Sequence, residues 1–180
     1  MDNTSVPINR VAQSGLVTLD LATYYPQVPL RVFDLKDFLV QGLVLMEKPF
    51  REALGQHNWQ QYRDTAVGIY CSTDALIPLW AYMLVSNYLN GIAHSVHYGN
   101  EQAVLAQLML DNLRKLDVSK FQDAKVVIKG CGDKSIPEAA YIAITDILKP
   151  VVRSLMYGEP CSTVPVYKRS SLNQQNNGPQ

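Results

Sequence analysis

The hydrophobic and polar positions along this chain follow two different periods in turn. Short apolar or alternating segments predict strands at residues 15–21, 65–71, 95–99, 125–130 and 154–158. Longer segments predict helices at residues 49–57, 77–93, 101–116 and 136–149. Strands that alternate with helices of this length are joined by crossovers into a parallel sheet covered on both faces. The pattern therefore predicts an α/β fold, in the form of a three-layer sandwich around a mainly parallel sheet.

A stretch of the chain is repeated after 59 positions. Residues 126–141 read V-V-I-K-G-C-G-D-K-S-I-P-E-A-A-Y, and residues 67–82 read V-G-I-Y-C-S-T-D-A-L-I-P-L-W-A-Y. When the repeat is extended to residues 47–100 and 106–159, thirteen positions are identical, several of them Gly, Pro or Tyr. We interpret the repeat as an internal duplication of a helix-strand-loop-helix-strand unit, within a single domain over residues 1–169.

Composition limits the classes of protein to which the chain can belong. Sixteen Lys and Arg residues balance sixteen Asp and Glu residues, which argues against a protein that binds the nucleic acid backbone. The most apolar stretch, residues 75–93, is interrupted by one Pro, two Asn and one Gly, so a buried helix is predicted there and no membrane span. Residues 170–180 are polar and rich in Asn and Gln, which predicts a disordered tail.

Three cysteines occur in a chain that opens with M-D-N-T-S-V-P-I-N-R, without the basic flank and apolar core of a signal peptide. We therefore expect a cytoplasmic protein with reduced thiols. Each cysteine comes at or just after the end of a predicted strand, and these are Cys71, Cys131 and Cys161. Because ligands of open parallel sheets bind outside the carboxyl ends of the strands, we predict that the three thiols lie at the same edge of the sheet.

Carboxylates accompany the cysteines in both copies of the repeat. Ser135 and Glu138 have the spacing of a capping box, so Asp133 is not needed as a helix cap and is expected to stay in the loop. Asp74 takes the equivalent place in the first copy, and His97 lies near the end of another strand. Thiolates with one carboxylate or imidazole suit zinc, and thiolates are also the usual ligands of iron–sulfur clusters. The predicted ligands are Cys71, Cys131 and Cys161, with Asp74, Asp133 or His97 as a further ligand.

Two alternatives remain open. Cys131 lies between two glycines, ahead of a helix start and beside Lys129 and Lys134, a setting that lowers a thiol pKa and suits a nucleophile in a thiol-dependent enzyme. Among the histidines only His97 is expected within reach as a base. Alternatively, the thiols are inert and fill space, since free Cys is often buried and no C-x-x-C pair occurs; the protein would then have an interaction role.

Four motifs connect the chain to a known family: I-N-R-V-A-Q-S-G-L-V-T-L-D-L, C-S-T-D-A-L-I-P-L-W-A-Y-M-L, V-I-K-G-C-G-D-K-S-I-P-E-A-A-Y and Y-G-E-P-C-S-T-V-P-V-Y-K-R. With them the chain resembles, over about residues 8–169, a bacterial family catalogued as domain of unknown function 2480. Members are often encoded near the sulfur-mobilisation machinery that assembles iron–sulfur clusters. The resemblance therefore implies a non-enzymatic accessory role in cluster assembly, with assembly proteins as partners and Cys71, Cys131 and Cys161 as candidate cluster or metal ligands.

Overall fold

A computed structural model describes residues 15–130, 132–159 and 161–170. In these residues the strands are β1 (Leu16–Asp20), β2 (Leu30–Asp34), β3 (Ala66–Tyr70), β4 (Ser95–Tyr98), β5 (Lys125–Lys129), β6 (Ser154–Glu159) and β7 (Ser162–Lys168). The α-helices are α1 (Glu47–Gln56), α2 (Leu79–Leu89), α3 (Glu101–Leu113) and α4 (Glu138–Leu148). Four short 3-10 helices accompany them, at Leu21–Tyr24, Leu35–Phe38, Trp59–Tyr62 and Val118–Phe121. The α/β class predicted from the sequence is confirmed.

The chain forms two compact units, and their boundary falls within α3. We call Pro26–Met109 the central unit, and the described residues up to Tyr25 and from Leu110 onward the flanking unit. Each unit has a sheet of its own. The central sheet has the order β2-β3-β4, and the flanking sheet has the order β1-β5-β6-β7.

The central unit is built on three parallel strands. β3 lies in the middle, with Leu30 opposite Ala66 on one side and Val67 opposite Val96 on the other. Four consecutive β3 residues, from Ala66 to Ile69, are buried, as expected for a parallel strand that is covered on both faces. The core residues around β3 come from both helices and strands: Phe33, Leu35, Leu45, Phe50, Leu54, Tyr62, Val67, Ile69, Ala81, Val85 and Leu89.

The flanking unit repeats this plan and adds a strand. β5 runs parallel to β1 and β6, with Leu16 opposite Lys125 and Val126 opposite Leu155. β7 then pairs with β6 in the antiparallel direction and forms the end of the sheet. Helix α4 buries every fourth residue, Ala140, Ile144 and Leu148, because residues spaced by four lie on one face of an α-helix.

β1 and β2 end in the same way. The Asp20 carboxylate accepts a hydrogen bond from Ala22 N at 2.8 Å, and the Asp34 carboxylate accepts one from Lys36 N at 3.0 Å. Each aspartate thereby caps a 3-10 helix whose first residue, Leu21 or Leu35, is fully buried. A short polar side chain that binds the backbone two residues ahead turns the chain away from the strand.

Two sequence predictions need correction. The strands of the described residues form two sheets where one was predicted, with β2, β3 and β4 in one sheet and β1, β5, β6 and β7 in the other. As predicted, the strands are mainly parallel, and β7 is antiparallel to β6. The capping box at Ser135 was also wrong: α4 begins at Glu138 after Pro137, and no side chain caps it.

Two further predictions concern the chain ends and the membrane. The disordered tail predicted for residues 170–180 lies outside the described residues, except for Ser170. Within the described ranges, no helix has the length and apolar character needed to cross a lipid bilayer.

Candidate functional site

Two equivalent loops follow the middle strands of the two sheets. Residues 71–78 connect β3 to α2, and residues 130–137 connect β5 to α4. Each loop ends in a proline with extended backbone, Pro78 or Pro137, after which the helix begins. Both loops leave the carboxyl end of a parallel strand, which is where open α/β sheets bind their ligands. We therefore take these two loops as the candidate site of each unit.

The loop of the central unit is held by Asp34, the last residue of the neighbouring strand. Its Oδ1 atom accepts a hydrogen bond from Ser72 N at 3.1 Å, and its Oδ2 atom lies 3.5 Å from Lys36 Nζ. Burial by itself would raise the pKa of Asp34, but hydrogen bonds from Ser72 and from Lys36 N outweigh it and hold the pKa below its ordinary value. Asp34 therefore stays ionised and fixes the start of the loop, a role that sequence reasoning missed.

Each loop lies beside a pair of tyrosines. Tyr82 and Tyr98 pack edge to face with ring centroids 5.7 Å apart in the central unit, and Tyr141 and Tyr157 do so at 5.8 Å in the flanking unit. Burial, followed by the neighbouring Tyr98 hydroxyl and the Cys71 thiol, raises the pKa of Tyr82. The Cys71 thiol is thus close enough to the Tyr82 hydroxyl for their charges to interact.

Two predicted ligands of the central unit, Cys71 and His97, have partners of their own. The half-buried Cys71 has its Sγ atom 3.2 Å from Thr73 Oγ1. His97 Nε2 lies 2.8 Å from Ser95 Oγ, and Asp74 is exposed in the loop. In the part of the chain that the structure describes, no three His, Cys, Asp or Glu residues are grouped so that they could hold a metal ion.

The flanking unit contains the other two cysteines. Cys161 is a free, exposed thiol in the short connection between β6 and β7, and Asp133 is exposed in the 130–137 loop. Cys131 itself lies outside the described residues. The carboxyl ends of β5 and β6 are joined by an ion pair, with Lys129 Nζ 3.3 Å from Glu159 Oε1.

The two lysines expected to lower the pKa of Cys131 have other partners. Lys129 pairs with Glu159, and Lys134 Nζ lies 4.7 Å above the centre of the Tyr25 ring. All three histidines of the chain, His57, His94 and His97, belong to the central unit. The unit that contains Cys131 therefore offers no imidazole as a general base.

Glycine at position 130 makes room for the flanking tyrosine pair. A Cβ atom on Gly130 would overlap the Tyr141 hydroxyl, which donates a hydrogen bond to the Gly130 carbonyl at 3.3 Å. The start of the 130–137 loop is thereby fastened to α4, as Asp34 fastens the start of the 71–78 loop to β2. What the two loops share is a fixed origin at a strand end and exposed polar side chains beyond it.

Comparison with a family model matches the chain to a known family. A family model described as "Protein of unknown function (DUF2480)" matches residues 5–169. That is nearly the whole chain, and it confirms the resemblance found in the sequence motifs. No curated protein and no solved structure matches the chain.

Proposed function

This chain belongs to the DUF2480 family, and we propose that it is a non-enzymatic protein that binds a thiophilic metal ion or an iron–sulfur species. Its cysteine thiols at the carboxyl ends of parallel strands are the proposed ligands. Soft thiolates are the preferred protein ligands of zinc and of iron–sulfur clusters. In this proposal the protein is an accessory to iron–sulfur cluster assembly in the cytoplasm, and its partners are assembly proteins.

The ion pair between Lys129 and Glu159 is the observation that carries the proposal. It joins the carboxyl ends of β5 and β6, which are hydrogen-bonded parallel neighbours. Cys131 follows Lys129 by two residues, and Cys161 follows Glu159 by two. Two residues of extended chain span at most about 7 Å, so the sequence connects both cysteines closely to this charged pair. The exposed Cys161 is open to a metal ion.

Cys131 and Cys161 are therefore the primary ligands in this proposal. Asp133, two residues after Cys131, supplies a carboxylate in the same loop. Two thiolates and one carboxylate leave coordination positions for a partner protein or a second copy, as a protein that delivers or accepts a metal requires. Cys71 follows β3, which belongs to the other sheet. Substitution of Cys71 therefore tests the sequence prediction that the site needs all three cysteines.

The test is anaerobic reconstitution with zinc and, separately, with iron and sulfide. Metal content and the visible absorption spectrum are measured for the wild type and for C71S, C131S and C161S, and far-UV circular dichroism confirms that each variant is folded. We expect the wild type to bind metal and both C131S and C161S to bind at least tenfold more weakly, because each loses a ligand. Retention by C71S supports a site within the flanking unit, and loss in C71S supports the three-thiol site.

A wild-type protein that stays colourless and metal-free after both reconstitutions overturns the proposal. Alkylation then separates the two alternatives. Selective alkylation of Cys131 near neutral pH would favour the thiol-dependent enzyme, because a nucleophilic thiol is a thiolate at that pH. Equal, slow alkylation of all three thiols would favour inert cysteines and an interaction role.

We also infer that residues 47–100 and 106–159 come from the duplication of one helix-strand-loop-helix-strand unit, and that helices cover both faces of each sheet. Equivalent strands such as β3 and β5 are separated by 59 positions. Residues with positive φ values recur at the same separation. Gly99 and Gly158 have φ values of 121° and 122°, and Asp64 and Asp123 have φ values of 57° and 54°. Non-glycine residues rarely adopt positive φ, so these matches support a common origin. The buried runs of β3 and β5 support helical cover on both faces of each sheet.

A further inference from the structure

We propose that the flanking unit contains a binding site for a small, uncharged, apolar molecule. The site is a cavity of about 340 Å³ between helix α4 and strands β5, β6 and β7. It is lined by side chains of all four elements, and its chemistry is separate from that of the cysteine thiols. The proposal therefore stands whether or not the protein binds a metal.

The cavity has a buried floor and an exposed mouth. Ile128, Ile144 and Leu155 line it and are at most 4% exposed, whereas Tyr157 and Val166 line it and are 40% and 53% exposed. A ligand therefore enters from solvent past Tyr157 and Val166 and ends against the three aliphatic side chains. By proportion with a cavity of about 150 Å³ that holds benzene, the volume suits at most about 14 non-hydrogen atoms.

The lining excludes charged ligands. No charged side chain is among the described residues that line the cavity. Two hydroxyls in the lining have acceptors within the protein: Tyr141 donates to the Gly130 carbonyl at 3.3 Å, and Thr145 donates to the Tyr141 carbonyl at 2.8 Å. A charge carried into this cavity would lose its hydration without gaining a partner of opposite charge, which is strongly unfavourable. An alkyl chain or a single aromatic ring suits these walls.

The central unit provides an internal comparison. It has a groove of about 380 Å³ that shares two lining positions with the cavity, since Ser86 and Val96 correspond to Thr145 and Leu155 at the 59-residue offset. That groove is also lined by Asn87 and Asn90, whose amides need hydrogen-bond partners and favour water. The groove of the central unit is therefore more polar than the cavity of the flanking unit. We infer that the apolar ligand binds only the flanking unit.

The experiment is a titration of the full chain, labelled with ¹³C at its isoleucine methyl groups. The ligand is n-butylbenzene, an uncharged probe small enough to fit within the cavity. Two isoleucines line the cavity, Ile128 and Ile144, while Ile142 lies two residues from Ile144 on α4 and is 67% exposed. We expect saturable shifts of the Ile128 and Ile144 methyl signals and none of comparable size for Ile142 or for the isoleucines of the central unit.

Two variants and one charged analogue sharpen the test. V166W places a large ring at the mouth and should weaken binding at least tenfold. I142W is the control, because it introduces tryptophan at an exposed position outside the lining, and it should leave binding unchanged. The charged analogue 4-phenylbutanoate should bind at least tenfold more weakly than n-butylbenzene. Absence of saturable shifts up to the solubility limit, unchanged binding by V166W, or equal binding of the charged analogue would each overturn the proposal.

Discussion

Asp34 shows how one carboxylate organises the candidate site of the central unit. It ends β2, caps the following 3-10 helix through Lys36 N, and holds Ser72 N at the start of the loop after β3. The hydrogen bond from Ser72 to Asp34 joins residues that are 38 positions apart in sequence. Both backbone donors bind the ionised carboxylate, so the folded state favours the charged form.

We expect the D34A variant to lower the free energy of unfolding by about 1–2 kcal/mol at pH 7, because both backbone N–H groups lose their acceptor. The D34N variant tests the charge. Since the folded-state pKa of Asp34 lies below its ordinary value, the carboxylate stabilises the fold above about pH 4, and this contribution is lost as the pH falls through the folded-state pKa. The deficit of D34N, measured by urea unfolding, should therefore be present at pH 7 and shrink below pH 4.

The control is D133N, at an exposed carboxylate of the other loop, which should change the free energy of unfolding by less than about 0.5 kcal/mol. If D34N had the same deficit at pH 7 and at pH 3, the ionised carboxylate would not be the stabilising group.

At the residue scale, the sequence predicted features that depend on neighbouring residues and missed contacts between residues far apart along the chain. The position of Cys71 directly after a strand follows from the end of an apolar run, and the structure has it there. The hydrogen bond between Ser72 and Asp34 depends on which strands pair, and a local pattern contains no such information. Asp34, the anchor of a distant loop, was therefore not among the predicted site residues.

At the element scale, Gly158 in β6 occupies a position that requires glycine. Its φ value is 122°, and a Cβ atom there would overlap the backbone carbonyl oxygen of Ser162 in β7. The same tyrosine-glycine pair occurs at residues 98–99 and 157–158. Glycine alone combines this backbone conformation with the close approach of the neighbouring strand.

We expect G158A to lower the free energy of unfolding by about 2 kcal/mol or more, because it adds backbone strain and a clash with a main-chain atom that cannot move without breaking the β6–β7 pairing. The matched control is G55A in helix α1, where a Cβ atom would meet no heavy atom within 4 Å. That substitution should raise the free energy of unfolding by about 0.5 kcal/mol, because alanine favours a helix more than glycine does. Urea unfolding of both variants measures the contrast, and a neutral G158A would contradict the assigned role.

The sequence predicted the existence of the elements better than their ends. All four α-helices were predicted, but α2 and α4 begin two residues later than expected, after Pro78 and Pro137. A proline disfavours the helical conformation in the residue before it, so Ser135 and Ile136 stay outside the helix. Ser135 and Glu138 therefore have the sequence spacing of a capping box, but the backbone between them is not helical, as that motif requires.

At the scale of the whole molecule, the sheets could not be predicted from local periodicity. β1 pairs with β5 across more than a hundred positions, with Leu16 opposite Lys125, while β2 pairs with β3 in the other sheet. β1 and β2, which each begin one of the sheets, are both short and end in a capping aspartate. The sequence therefore does not show to which sheet each of them belongs. The thiols were assigned to a single edge on the assumption of one sheet, and the structure divides the cysteines between the loops of two sheets.

The central unit has the features of an independently folding domain. It has its own three-stranded parallel sheet, and its core includes fully buried residues from β3 and α2, among them Val67, Val85 and Leu89. Burial of that core provides the main free energy of folding, and the unit is a continuous segment of chain. We therefore expect residues 26–113, which include the whole of α3, to fold when expressed alone.

The measurement is urea unfolding of this fragment followed by far-UV circular dichroism. We expect a cooperative transition with a slope of about 1 kcal/mol per molar urea, as a small two-state domain shows. The control is V85D in the same fragment, which places an unpaired charge in the core and should abolish the transition. A gradual, non-cooperative change in the unsubstituted fragment would instead favour the single domain over residues 1–169 that the sequence predicts. In that case the two sheets would fold only together, and variants in one unit would destabilise the other.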